Sequence, residues 1–196
     1  IARYNGAAMR IVPVGLFYYD DPVKLRQISY ESSKITHGHI YAQEGAALQA
    51  YAIAYLVKAE AGTLKQSDFL ARLKEFANED AYKEQMKKIG DLIGESCNKA
   101  RIVEQIGNNV EAKKAVPAAI YSFITHCECF KDTVLYAVNL GGDADTVASM
   151  AGALSGAHLG LDAIPEGWRN KLEDAPYFYV LADSLHQLKI SQRKAE

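Results

Sequence analysis

Apolar positions recur three and four residues apart through most of this chain, and no stretch sustains period-two alternation, so the pattern predicts helices almost throughout. A buried helix is expected from Ala7 to Tyr18, interrupted near Pro13, and another opens at Asp20-Asp21-Pro22 and continues through Leu25, Ile28, Tyr30 and Ile35. Ala42 to Lys58 carries Ala46, Ala50, Ile53, Ala54 and Val57 on one stripe, small enough for close helix approach. Ser67 or Asp68 caps a helix facing inward through Leu70, Leu73 and Phe76, and Ala81 to Ile93 follows with Tyr82, Met86, Ile89 and Ile93 on one side. Arg101 to Ile106 is a short helix ended by Gly107-Asn108-Asn109. Ala115 to Phe130, Asp132 to Leu140 and Asp145 to Leu161 form a C-terminal core. Trp168 to Leu172 and an amphipathic helix from Tyr177 to Ile190, with Leu181, Leu185 and Leu188, close the chain.

Composition adds bounds. The chain has 196 residues, 49% apolar and 23% charged, with a net charge of −2, as expected of an ordinary soluble protein with one substantial core. Lys83, Lys87 and Lys88 read as a solvated helix face, so no nucleic-acid partner is expected. No apolar run approaches the roughly 20 residues of a membrane span. Three cysteines, an odd count, point to a reducing compartment, the cytoplasm. His126-Cys127-Glu128-Cys129 invites a zinc reading; on a helix, residues two apart face nearly opposite ways, which favours buried or half-buried thiols instead.

The densest candidate chemistry is Gly141-Gly142-Asp143-Ala144-Asp145-Thr146, which leads into an Ala/Gly/Ser-rich helix. Two carboxylates and a hydroxyl are hard oxygen ligands that suit Mg²⁺, Mn²⁺ or Ca²⁺. The same residues also serve as an ordinary helix cap, because Asp and Thr are favoured there on capping grounds alone. No P-loop, His-Glu-x-x-His or nucleophile elbow is present.

Asn139 to Thr146, the small-residue helix after it and Ile164-Pro165-Glu166-Gly167-Trp168 closely resemble the ADP-ribosylglycohydrolase family, which includes the dinitrogenase-reductase-activating glycohydrolases and the ADP-ribosylhydrolases. Tyr4-Asn5-Gly6-Ala7-Ala8-Met9-Arg10 is similar to that family's Gly-Asn-Gly-x-Ala-Met-Arg motif, departing from it at Tyr4. Thr36-His37 with Gly45 to Ala50, and Val116-Pro117-Ala118-Ala119-Ile120-Tyr121, match in order and spacing.

The resemblance implies an all-α fold, a compact orthogonal helical bundle forming a single domain over residues 1–196. It implies metal-dependent hydrolysis of the glycosidic bond between ADP-ribose and a protein side chain or a related conjugate, or else a non-catalytic ADP-ribose-binding relative. Two Mg²⁺ or Mn²⁺ ions would be held by Asp143, Asp145 and Thr146, with both aspartates acting in catalysis through the metal. Asn5, Gly6, Met9, His37, Gly142, Ile120 and Tyr121 would bind substrate, with Arg10 supporting the loop. Alternatives stand beside several of these: Asn5-Gly6 as a plain turn, His37 as a helix-end or surface residue, and Ile120 and Tyr121 as core. The family's Gly-Asp-Ala-type and Thr-Asp-Asp-Thr motifs, which supply further ligands, are not found here. The expectation is therefore a C-terminal portion of a longer domain, with the remaining catalytic groups upstream of Ile1, in the same or a second chain.

Overall fold

The computed structural model describes residues 2–60, 62–95 and 98–195; Ile1 and Cys97 lie outside them. The protein is all-α, with eleven α-helices and no strand among the described residues. They are α1 (Val12–Phe17), α2 (Pro22–Lys34), α3 (Ile40–Leu56), α4 (Gln66–Phe76), α5 (Asp80–Leu92), α6 (Lys99–Gln105), α7 (Ala112–Thr125), α8 (Phe130–Asn139), α9 (Ala144–Leu159), α10 (Glu166–Arg169) and α11 (Ala175–Ala195).

Helix α3 is the axis of the fold and is packed against α1, α2, α4, α7 and α9. It is apolar and buried on nearly every face, which its run of small residues makes possible. A methyl group at Gly15 of α1 would fall 2.6 Å from the Ala50 carbonyl oxygen, so glycine is what lets α1 rest directly on the α3 backbone. Helices α7 and α9 complete the centre, contributing Val116, Ile120, Phe123, Val147, Met150 and Leu154 to one contiguous core.

Helix α2 opens as its sequence predicts: Asp21 Oδ1 accepts the Lys24 N–H at 2.9 Å, and Pro22 supplies the first turn. Its buried face is Leu25, Ser29 and Ser33, spaced by four, whereas Ile35 lies past the helix end and is 81% exposed. The break expected at Pro13 falls earlier. A 3₁₀ turn (Ala8–Arg10) ends at Ile11, and Pro13 sits in the first turn of α1, where its missing N–H costs nothing. Neither Ser67 nor Asp68 caps α4, since both lie inside its first turn, and Phe69 joins Leu70 and Leu73 in the core. His126-Cys127-Glu128-Cys129 forms the turn between α7 and α8 rather than part of a helix. Cys127 is buried and Cys129 half-buried, and no three-residue His/Cys/Asp/Glu group able to hold a metal occurs among the described residues.

The last helix differs most from its pattern. In α11, Leu181 and Leu188 are exposed, and the buried position is Lys189. Its ammonium reaches Asp20 Oδ1 at 2.6 Å and lies 5.5 Å from the ring centroids of Phe17 and Tyr19, while Arg193 holds Asp20 Oδ2 at 3.0 Å. The long alkyl stems provide the packing that leucines were expected to give. Partial burial raises the Asp20 pKa, but the hydrogen bonds and charge of Lys189 and Arg193 outweigh it and leave the carboxyl below its ordinary 3.8. A carboxyl lowered on folding stabilises fully above the unfolded pKa, and that contribution fades as pH falls through the lowered value. Acid titration of the α11 amide exchange should therefore show loosening below 3.8, and Asp20→Asn should show the loosened α11 at neutral pH as well.

Candidate active site

Two segments separated by 138 positions in sequence meet at the start of α9, where the Asn5 side-chain amide donates to Asp143 Oδ2 at 2.5 Å. Asn5 is buried, with only 6% exposure, so the contact is not a chance surface encounter. Its segment is pinned along the turn before α7. The Asn5 N–H donates to the Val110 carbonyl at 3.0 Å, the Ala112 N–H donates to the Arg3 carbonyl at 3.2 Å, and Tyr4 pairs with Glu111 in an isolated antiparallel bridge. Arg3 adds an ion pair with Glu111 at 2.8 Å. The Asn5 carbonyl then accepts the Met9 N–H at 3.0 Å and so starts the 3₁₀ turn; the Met9 side chain is half-exposed.

Gly141 and Gly142 have φ of +72° and +67°, a left-handed pair that side chains rarely adopt. At Gly142 a methyl group would also collide with the Asn108 carbonyl oxygen, so glycine is required twice over. The Asp143 N–H donates to that same carbonyl at 2.8 Å. Asp143 occupies the N-cap position of α9, yet its carboxylate makes no capping hydrogen bond and turns to Asn5 instead. Asp145 Oδ1 accepts the Thr146 N–H at 2.9 Å. Capping therefore does not account for Asp143.

His37 lies over the other side of the loop. A methyl group at Gly6 would fall 2.6 Å from His37 Cε1, so the bare glycine is what admits the ring. Arg10 Nη2 donates to Thr36 Oγ1 at 2.7 Å and to the Ser32 carbonyl at 3.2 Å, and Thr36 Oγ1 lies 2.8 Å from His37 Nδ1. With one lone pair taken by Arg10, the Thr36 hydroxyl keeps a second lone pair and its own proton, so it can pair with either tautomer of the ring. Burial first, and then the Arg10 charge, hold the His37 pKa below its ordinary 6.5, so the ring is neutral at pH 7. Arg10 thus orients His37 rather than reaching the loop directly.

The remaining residues divide. Ile120 has no exposure, and its face of α7 is covered by neighbouring helices, as in the core alternative. Tyr121 is nearly buried as well, with its ring 6.1 Å from that of Tyr136. Asp145 is exposed and helps line a different feature, a 580 Å³ cleft between α9 and α11 whose walls include Phe130, Trp168, Arg169 and Phe178. Sequence reasoning passed over Asn108 and Val110. Neither lies in a motif, and the only local signal is the Gly-Asn-Asn that ends α6.

As donors for a divalent cation, Asp143, Asp145 and Thr146 fit in kind. Asp143 Oδ1, Asp145 Oδ2 and Thr146 Oγ1 are hard oxygens that make no hydrogen bond to the described protein. Three such oxygens cover about half of the octahedral shell that Mg²⁺ prefers.

The sequence profile of the ADP-ribosylglycohydrolase family matches residues 2–195. The chain belongs to this family. It is 31% identical over 210 residues to the Homo sapiens protein named ADP-ribosylhydrolase ARH3, a match covering 94% of this chain and 58% of that protein. It is also 29% identical over 169 residues to the Rhodospirillum rubrum protein named ADP-ribosyl-[dinitrogen reductase] glycohydrolase, covering 86% of this chain and 50% of that protein. The chain thus spans between half and three-fifths of the length of these relatives. What distinguishes the Asn5-Gly6 segment from a generic turn is the Asn5–Asp143 contact. No described helix is long and apolar enough to cross a membrane.

Proposed function

We propose that the chain carries one side of an ADP-ribosylhydrolase site, acting on the glycosidic bond between ADP-ribose and a protein side chain or a related conjugate. The observation that carries this reading is the convergence of Asn5, Gly6, His37, Gly142 and Asp143 on one loop system, with Asn5 hydrogen-bonded to Asp143. The left-handed Gly141-Gly142 pair turns main chain toward solvent at the mouth of α9, where a pyrophosphate would meet it. Neutral His37 offers a ring nitrogen for a hydrogen bond to a ribose hydroxyl or a phosphate. The carboxylates of Asp143 and Asp145 place negative charge where positive charge grows on the sugar in an oxocarbenium-like transition state. Asp143, Asp145 and Thr146 would hold Mg²⁺ or Mn²⁺, two ions in the full site. Such ions, when bound, supply charge that orients ribose hydroxyls and acidifies water. The human and bacterial relatives are named for this kind of hydrolysis, which supports the reading.

A second reading, an ADP-ribose binder without turnover, is favoured by one observation: Asp143 turns to Asn5 while Asp145 lines the separate cleft between α9 and α11. Incubating the protein with arginine- and serine-ADP-ribosylated proteins, with Mg²⁺ or with EDTA, separates the two. The hydrolase reading expects free ADP-ribose from at least one acceptor in the Mg²⁺ arm only. Tight ADP-ribose binding with no release in either arm would establish the binder.

A further inference from the structure

The turn between α6 and α7, outside every motif, holds both halves of the candidate site. Its Val110 carbonyl accepts the Asn5 N–H at 3.0 Å, and its Asn108 carbonyl accepts the Asp143 N–H at 2.8 Å. The Asn108 side-chain amide donates to the Leu140 carbonyl at 2.8 Å, one residue before the left-handed glycine pair. Asn108 therefore grips the Leu140–Asp143 loop at two points, and its atoms fill the space left open by the missing side chain of Gly142. With the Asn5–Asp143 contact at 2.5 Å, these bonds close a ring: turn to Asn5, Asn5 to Asp143, Asp143 back to the turn. Hydrogen-bonded rings of this kind fix the orientation of a ligating carboxylate and tune its affinity for a metal.

We propose that Asn108 is a positioning residue of this site, its side-chain bond to Leu140 and main-chain bond to Asp143 setting the direction of the Asp143 carboxylate against Asn5. The structural part stands on the geometry alone, and its consequence for cations rests on the function proposed above. Asn108 does not touch substrate in this scheme and acts only through Asp143.

The test uses Asn108→Ala and Asn108→Ser, the latter suited to turns but too short to reach Leu140. Asn109→Ala serves as the control in the same turn; there the side chain only accepts the Glu111 N–H at 3.0 Å. Mn²⁺ affinity is read by electron paramagnetic resonance of the free ion, amide exchange by mass spectrometry, and folding by thermal melting. The expected result is a loss of Mn²⁺ affinity of about tenfold or more in both Asn108 variants. Exchange at Asp143 and Asn5 should be faster, melting close to wild type, and the control unchanged. Wild-type Mn²⁺ affinity in either folded Asn108 variant would overturn the proposal. If the wild-type protein itself takes up no Mn²⁺, the metal reading is what has failed, and Asn108 is then only a turn-former.

Discussion

Asp145→Ala is expected to lower the rate of ADP-ribose release by about a hundredfold or more, the usual effect of removing one charged or hydrogen-bonding group that stabilises a transition state. Asp145 contributes little to the fold. It is exposed on the first turn of α9, and its one hydrogen bond is to the N–H of the next residue. Substitutions at such surface positions usually change stability by no more than about 0.5 kcal/mol. A loss of release in a variant that melts like wild type would therefore be a loss of chemistry. Asp145→Asn keeps the shape and removes the charge, and it should lose nearly as much. Release at the wild-type rate from either variant would remove Asp145 from the site.

Glu44→Ala should be the most destabilising single change in the molecule outside the hydrophobic core. Glu44 has no exposure, sits in the middle of the apolar helix α3, and is paired with Arg26 Nη1 at 2.9 Å. Its other oxygen accepts the Asn78 N–H at 2.5 Å, and Tyr30 donates its hydroxyl to the same oxygen that Arg26 holds. Arg26 also donates to the Phe76 carbonyl, and its guanidinium lies 3.9 Å from the centroid of the Phe76 ring, which stacks on Tyr51. One carboxylate therefore ties α2, α3 and the turn after α4 together. Removing it strands a mostly buried cation, a main-chain N–H and a phenol, at a cost of about 3–5 kcal/mol. In urea the midpoint should fall while the slope stays constant, because the surface exposed on unfolding is nearly unchanged. A loss below about 1 kcal/mol, the range of an exposed ion pair, would show that the network is not closed as described.

The helical periodicity of α5 and α9 was readable because each carries an apolar face at spacings of three and four, whereas α3 shows as a long run of small and apolar residues buried nearly all round. Asp21-Pro22 opened α2 for the reason its chemistry suggests. What could not be read is where polar groups substitute for apolar ones. Lys189 anchors α11 through an ion pair and two aromatic rings, while Leu181 and Leu188 face outward and Leu185 is only half-buried. Glu44 lies among alanines and glycines with no local sign of its partners, because Arg26 and Asn78 come from other elements.

The site shows the same division. Asp143 and Gly142 stand out in sequence because two glycines and two acids within five residues are chemically unusual. Ile120 does not separate from core by pattern, since a pocket wall and a helix interface both select an aliphatic side chain. Asn108 is invisible for a different reason: its side-chain amide and its carbonyl both bond groups more than thirty positions away in sequence. Only the folded chain shows that this carbonyl meets the Asp143 N–H.

Whether these oxygens bind ADP-ribose through a divalent cation is tested most directly by calorimetric titration of the protein with ADP-ribose, in Mg²⁺ and then in EDTA. Binding should be present with Mg²⁺ and weakened by about tenfold or more on chelation, a coupling within the range of linked sites, with Asp143→Ala matching the chelated protein. Equal affinity in both conditions, unaltered by Asp143→Ala, would contradict binding through the cation.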